Sequence, residues 1–293
     1  MNRTPLSRLA PWLSLLGLLL MSSVHAADNP DWMTPVAPFR IAGNLYYVGS
    51  RDLASYLIVT PKGDVLINSN FEASVPQIKH SIEQLGFRFT DIRILLISHA
   101  HSDHDAGSAE IKRETGAQYM VMDGDVPVVE SGGKADFQYP EGGYPPVKVD
   151  RVLHDGDQVQ LGGSVLVAHK TPGHTRGCTT WTLQLNEKGR LLNAVIVGSW
   201  NVNPGYRLVD RPGQKASYPG IASDFERTFA LLKQLPCDIF LGAHGEYFDM
   251  LGKLGRRTPE TAVTVWIDPQ GYQARVQERE DAFRSELARQ SKL

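Results

Sequence analysis

The pattern of apolar and polar positions between residues 39 and 122 switches repeatedly between a period of two and a period of 3.6. Phe39 to Gly49 and Leu53 to Thr60 are dense in β-branched and aromatic residues, and Asp64 to Asn68 follows the turn Pro61-Lys62-Gly63. These segments predict an antiparallel meander of three strands. Val75, Ile78, Ile82 and Leu85 recur at helical spacing before Gly86, which predicts a helix over 75–85. Ile92 to Ser98 is short and almost wholly apolar, the pattern of a central buried strand, and His99 opens the loop after it. Ala106 to Thr115 reads as the next helix, stopped by Gly116, and Ala117 to Met122 as the next strand.

Residues 123–146 lose this periodicity and are rich in Gly and Pro, so they predict a long loop that covers a site as a lid. Alternation then resumes. Strands are expected at Val147 to Leu153, Gln158 to Leu161, Ser164 to His169, Thr179 to Leu185 and Leu191 to Gly198. A helix follows from Asp224 to Leu235, with Ser223 as its N-cap, then a strand from Asp238 to Gly242 and a charged helix from Gln273 to Arg289. Each half has strands first and helices later. An α/β architecture follows, with two sheets face to face under outer helices and the strand-end loops gathered on one edge.

The first residues follow another pattern. Arg3 and Arg8 precede a mostly apolar run from Leu9 to Met21, and Val24-His25-Ala26 places small residues at −3 and −1. Residues 1–26 therefore read as a secretory signal, leaving 27–293 as the folded domain. The run is shorter than the roughly 20 residues a span requires and contains Pro11, so no stable membrane anchor is expected. A periplasmic destination follows. Thirty Lys and Arg against 32 Asp and Glu leave a formal charge of −2, with no cationic excess for nucleic acid. Two cysteines cannot form a disulfide framework, and both Cys178 and Cys237 are expected to be reduced and buried.

The chemistry concentrates in His99-Ala100-His101-Ser102-Asp103-His104. Three imidazoles and a carboxylate follow a buried strand directly, and such donors suit zinc. Without a metal, that density of titratable groups beside an apolar strand would cost several kcal/mol. Two more histidines, His174 and His244, each follow a predicted strand. His25 leaves with the signal, His80 sits on a helix flank, and His154 and His169 lack a ligand partner at metal spacing, so these four read as ordinary polar residues.

This run, with His174 in Thr171-Pro172-Gly173-His174-Thr175 and with His244, resembles the metallo-β-lactamase fold superfamily. Trp32-Met33-Thr34-Pro35, Asn203-Pro204-Gly205-Tyr206 and Leu235-Pro236-Cys237-Asp238 extend the resemblance to class B β-lactamases of the third subclass. The resemblance implies a four-layer αβ/βα sandwich with two zinc ions per chain. His99, His101 and His174 would hold the first, and Asp103, His104 and His244 the second. Asp103 would also orient the attacking hydroxide, a catalytic role. Ser199, Asn201 and Asn203 would line the substrate groove. The partner would be a small-molecule β-lactam, and the chain would act as a monomer.

Zinc-bound water ionises near pH 7, so hydroxide would be available. The resemblance implies that it would attack the β-lactam amide of penicillins, cephalosporins and carbapenems and so confer antibiotic resistance. The alternative is a hydrolase of the same fold acting on another ester, thioester or lactone. Such relatives usually bridge the metals with an aspartate after a strand of the second half, where this chain has Ser199. A zinc store without catalysis would need neither a lid nor a polar groove.

Overall fold

The computed structural model describes residues 29–292, so the expected signal, residues 1–26, lies outside the described residues. The chain divides into a unit Met1–Pro30 and a unit Asp31–Leu293, and the architecture resides in the second. Its first sheet runs in chain order through β1 (Phe39–Ala42), β2 (Leu45–Tyr47), β3 (Tyr56–Ile58), β4 (Asp64–Ile67), β5 (Ile92–Leu96), β6 (Gln118–Met122) and β7 (Arg151–Leu153). Pairing is antiparallel from β1 to β4 and parallel from β4 to β7. The second sheet contains β8 (Gln158–Leu161), β9 (Ser164–Lys170), β10 (Thr179–Glu187), β11 (Arg190–Val197) and β12 (Ile239–Gly242), in the order β12-β11-β10-β9-β8. Only β11 and β12 pair in parallel there.

Alternation along β5 and β6 explains the layers. Ile94, Leu96, Met120 and Met122 face a core shared with Trp181, Leu183 and Leu185 of β10. Leu95, Tyr119 and Val121 face the other way, against Val75, Ile78 and Ile82 of α1 (Val75–Gln84) and Ile111 of α3 (Ser108–Thr115), which follows the short α2 (Ser102–Asp105). Beyond α4 (Val126–Glu130), the second sheet is flanked by α5 (Ile221–Leu232), α6 (Met250–Gly255) and α7 (Pro269–Ser291). Phe283 of α7 lies 5.2 Å from Phe225 and 5.8 Å from Phe229 of α5, ring to ring. Fully burying such a ring contributes about 1.5–3 kcal/mol. The result is the expected four-layer sandwich. Among the described residues no helix is long and apolar enough to cross a membrane.

Several expectations are corrected. The meander has four strands, because Gly43 adopts φ +51° and folds residues 39–49 into a hairpin. The helix expected at 106–115 begins at Ser108, and α2 precedes it. Gly107 separates the two, donating its N–H to the Asn70 carbonyl where a Cβ would meet the Ser69 oxygen at 2.8 Å. The 123–146 segment is not wholly loop, since it contains α4. Val147 bonds back to the Val129 carbonyl and packs in the outer core, so the strand expected at 147–153 shrinks to β7.

Helix α5 starts at Ile221 after left-handed Gly220, because Ile221 and Phe225 share the buried face; Ser223 is inside the helix, not its cap. Helix α7 starts at Pro269, capped by the Asp268 carboxylate accepting from Gly271 N. Helix α6 was not foreseen. Both cysteines are free, but Cys237 is only partly buried because it stands in the linker before β12.

Asp64, at the start of β4, is buried with one oxygen accepting from Thr60 N at 3.2 Å. Burial pushes its pKa up to about 6, and Asp91 adds to the shift. A carboxyl raised in the folded state contributes stability below its unfolded pKa that is lost as pH rises through about 6. Asp64→Asn is therefore expected to stabilise the protein by about 1–2 kcal/mol at pH 8 and by nothing at pH 4. Urea melts at the two pH values check this; equal effects at both would refute it.

Candidate metal centre

The strand ends of both sheets supply the site. Strand β5 feeds His99 and His101, and the chain then coils into α2, which places Asp103 and His104 one turn later. His174 follows β9 in a turn where Gly173 adopts φ +131° and a Cβ would sit 2.7 Å from the Phe225 ring. His244 follows β12 directly. The structure thus brings together all six residues singled out as metal ligands.

Two sets are formed. Donor atoms of His99, His101 and His174 lie within 4.8 Å of one another, and so do those of His99, Asp103 and His104. His244 joins the second set: its Nε2 is 3.2 Å from His104 Nε2 and 3.6 Å from Asp103 Oδ2. Asp103 Oδ2 is 3.3 Å from His104 Nε2. Burial, then the neighbouring imidazoles, hold His99 well below its ordinary pKa and bring His174 down to about 3. These rings are therefore neutral, the form that ligates metal. Burial opposes ionisation of Asp103, but His104, His244 and His101 outweigh it and hold the carboxyl well below the usual range.

Neighbours fix the ring orientations. His174 Nδ1 donates to the Asn201 carbonyl at 2.9 Å, and His244 Nδ1 donates to Asp52 Oδ2 at 3.0 Å, so in both rings Nε2 is left for the centre. Asp52 is itself held by Trp32 Nε1 at 3.0 Å and Glu246 N at 2.8 Å. Asp136 Oδ2 lies 3.5 Å from His101 Nε2. Asp125 accepts from Ala100 N, Thr175 Oγ1 and Gly177 N at 3.0, 2.8 and 2.8 Å, tying the two ligand-bearing loops together. Left-handed Asn68 and Asn70 brace the strand ends: Asn68 Oδ1 accepts from Ser98 N, and Asn70 Nδ2 donates to Leu53 O. Sequence reasoning missed these supports. Asp105, beside His104, turns away from the centre, and Tyr119 donates to it at 2.5 Å.

Asp52→Asn is expected to weaken zinc binding at the second set by about 10–100-fold, the usual effect of losing a carboxylate behind a ligating histidine. Competition with a chromophoric chelator measures this, and unchanged affinity would contradict it.

The three groove candidates differ in placement. Ser199 is buried, with its hydroxyl 3.2 Å from the Tyr247 hydroxyl. Asn201 Nδ2 donates to the same hydroxyl at 3.2 Å. Asn203 Nδ2 donates to Tyr139 OH at 3.1 Å, and the Tyr139 ring stands 5.2 Å from that of His101. The expected lid is therefore anchored over the centre at Asp136, at Tyr139 and at Tyr144, whose hydroxyl donates to the Ala100 carbonyl at 2.8 Å. His80, His154 and His169 stay outside the cluster; His154 sits near Asp123, and His169 bonds Thr182.

The donor set fits zinc. Five imidazoles and one carboxylate converge with ring centroids 4.3 to 4.9 Å apart. His104 Nε2 and His244 Nε2 face each other at 3.2 Å, and Asp103 Oδ2 lies within 3.6 Å of both. Imidazoles this close cannot all carry protons, and a cation held between such nitrogens and the carboxylate is the charge that this donor set suits.

A sequence profile of the metallo-beta-lactamase superfamily matches residues 52–244. The fold superposes on the native metallo-beta-lactamase FEZ-1 of Legionella gormanii with a TM-score of 0.83 and 53% identity, covering 88% of this chain and 98% of that one. It also superposes on the class B3 di-zinc metallo-beta-lactamase LRA-12 from an Alaskan soil metagenome, with a TM-score of 0.80, 36% identity and coverage of 88% and 97%. A hydroxyacylglutathione hydrolase of Methylobacterium nodulans is 32% identical over 104 residues, 36% of this chain and 33% of the relative. The chain spans only about a third of the length of the curated relatives it matches. Matched by the superfamily profile and by nearly the full length of these solved enzymes, the chain belongs to the metallo-β-lactamase superfamily and, within it, to the third subclass of class B.

Proposed function

We propose that the chain hydrolyses the β-lactam amide of penicillins, cephalosporins and carbapenems with two resident zinc ions, and so confers resistance to them. The observation that carries this reading is the convergence of His99, His101, Asp103, His104, His174 and His244 on one buried edge. Identity of 53% over nearly the whole length of a metallo-beta-lactamase supports it. His99, His101 and His174 would hold one ion, and Asp103, His104 and His244 the other. Bound zinc supplies a water that ionises near pH 7 and Lewis acidity toward a carbonyl oxygen.

The protein's own residues do the rest. The Asn201 carbonyl and Asp52 lock the tautomers of His174 and His244. The anionic Asp103 places a negative charge where it can orient a nucleophilic water. The side-chain amides of Asn201 and Asn203 offer N–H donors to the carboxylate that most β-lactams carry, and Ser199 holds Asn201's partner Tyr247 in place. Tyr139 covers the centre and narrows access for bulk water. Export directed by residues 1–26 would deliver this activity to the periplasm, where β-lactams act.

A second reading, thioester hydrolysis, draws on the similarity to hydroxyacylglutathione hydrolases. Strand β11 runs into Gly198-Ser199 without a carboxylate to bridge two metals, which favours the lactamase. Assaying zinc-loaded 27–293 on a penicillin, a cephalosporin, a carbapenem, a glutathione thioester and a lactone separates the two. Values of kcat/KM at least about 100-fold higher on the β-lactams are expected. The reverse order would transfer the assignment to the thioester or lactone.

A further inference from the structure

We infer that Gln290, in the last turn of α7, is a positioning residue for the groove loop 201–208 and thereby sets how tightly substrate is held. Its side chain is buried, and its amide makes three hydrogen bonds. Nε2 donates to the Tyr206 carbonyl and to Glu286 Oε1, each at 2.7 Å, while Oε1 accepts from Leu208 N at 2.7 Å. One amide thus serves the loop backbone on both sides of Arg207, as a neighbouring strand would. The Tyr206 carbonyl and Leu208 N–H lie outside any strand, and buried backbone groups of this kind need partners. An apolar residue at position 290 would fill the space but leave both unpaired.

The loop carries this constraint to the centre. Tyr206 OH donates to the His174 carbonyl at 2.7 Å, and the Asn201 carbonyl holds the His174 ring. On the other side Phe137 packs edge-on against Tyr206 at 5.1 Å and Tyr218 at 5.0 Å, which joins the loop to the segment bearing Asp136 and Tyr139. Helix α7 is a firm base: Tyr272, Val276 and Phe283 are in the core, and Glu280 accepts from Lys233 at 2.7 Å. The hydrogen bonds of Gln290 go to Tyr206, Leu208 and Glu286 and to none of the six clustered residues, and Tyr206 N donates to the Asn203 carbonyl, so its removal loosens Asn201 and Asn203 without dismantling the centre. The consequence for catalysis rests on the reading above, in which those two amides meet the substrate.

The test compares the wild type with Gln290→Met, which keeps the volume but loses the hydrogen bonds, and with Gln290→Glu, which keeps only the acceptor. Hydrogen exchange in peptides covering 201–211 is expected to speed up at least about tenfold in Gln290→Met and at least as much in Gln290→Glu, whose carboxylate would face the Tyr206 carbonyl and Glu286 Oε1, with 192–197 unchanged. KM for a cephalosporin is expected to rise about fivefold or more with kcat within twofold, and zinc affinity to stay within twofold. Unchanged exchange in 201–211 would overturn the positioning role. Faster exchange with an unchanged KM would overturn the link to substrate. Were the wild type inactive on β-lactams, the exchange result would still decide the positioning role, and the fault would lie with the substrate assignment.

Discussion

Replacing Asp103 with alanine is expected to lower kcat/KM on a cephalosporin by about 10³-fold or more, equivalent to about 4 kcal/mol of transition-state stabilisation. Asp103 is the only carboxylate among the six convergent residues. Its Oδ2 stands 3.3 Å from His104 Nε2 and 3.6 Å from His244 Nε2, so it supplies the negative charge of the second set. Without it, two imidazoles remain to hold a dication in a buried place. The first set, His99, His101 and His174, consists of imidazoles alone and keeps all its donors. Metal analysis of Asp103→Ala should therefore show the second ion depleted well before the first. Equal loss from both sets, or loss from neither, would contradict the division of ligands.

Replacing Asp125 with alanine is expected to cost about 3–5 kcal/mol of folding stability. The carboxyl is buried and accepts from Ala100 N, Thr175 Oγ1 and Gly177 N, and burial pushes its pKa up to about 6. The segment that bears Asp125 also packs tightly against the loop after His174. A Cβ on Gly124 would lie 2.3 Å from the Arg176 carbonyl, and one on Gly177 would lie 2.4 Å from Asp125 N. Alanine leaves two buried N–H groups and a hydroxyl without their acceptor. Asp125→Asn, which keeps an acceptor, should lose about half as much. Urea unfolding of the metal-free proteins measures both, and a loss below about 1 kcal/mol for the alanine variant would refute the role.

These two residues mark the boundary of what the sequence discloses. Asp103 was legible because its partners lie within five residues of it and because an apolar run, Ile92 to Ile97, announces the strand whose end they occupy. His174 and His244 were legible for the same reason, each at the end of a strand pattern. Asp125, Asp136 and Asp52 were not. Their partners are distant in sequence: Asp52 meets His244 across 192 positions, and Asp125 meets Gly177 across 52. No local pattern distinguishes such a carboxylate from a solvated one, and Asp125 and Asp136 fell within a stretch whose Gly and Pro content signals a loop.

Element boundaries failed where tertiary packing overrode local chemistry. Ser223 has the side chain of an N-cap, yet burying Ile221 beside Phe225 extends α5 past it. The hairpin at Gly43 was hidden because apolar residues flank both sides of its turn. The layer order survived these errors, since it depends on which face of each strand is apolar and not on where the strand stops.

The most direct measurement is turnover of a chromogenic cephalosporin by purified 27–293, first with zinc, then after removal of metal by a chelator, then after zinc is restored. Rapid hydrolysis with zinc, loss of turnover on chelation and recovery as zinc approaches two ions per chain is the expected result. Turnover that survives chelation, or a fully zinc-loaded protein that leaves the cephalosporin intact, would contradict the assignment.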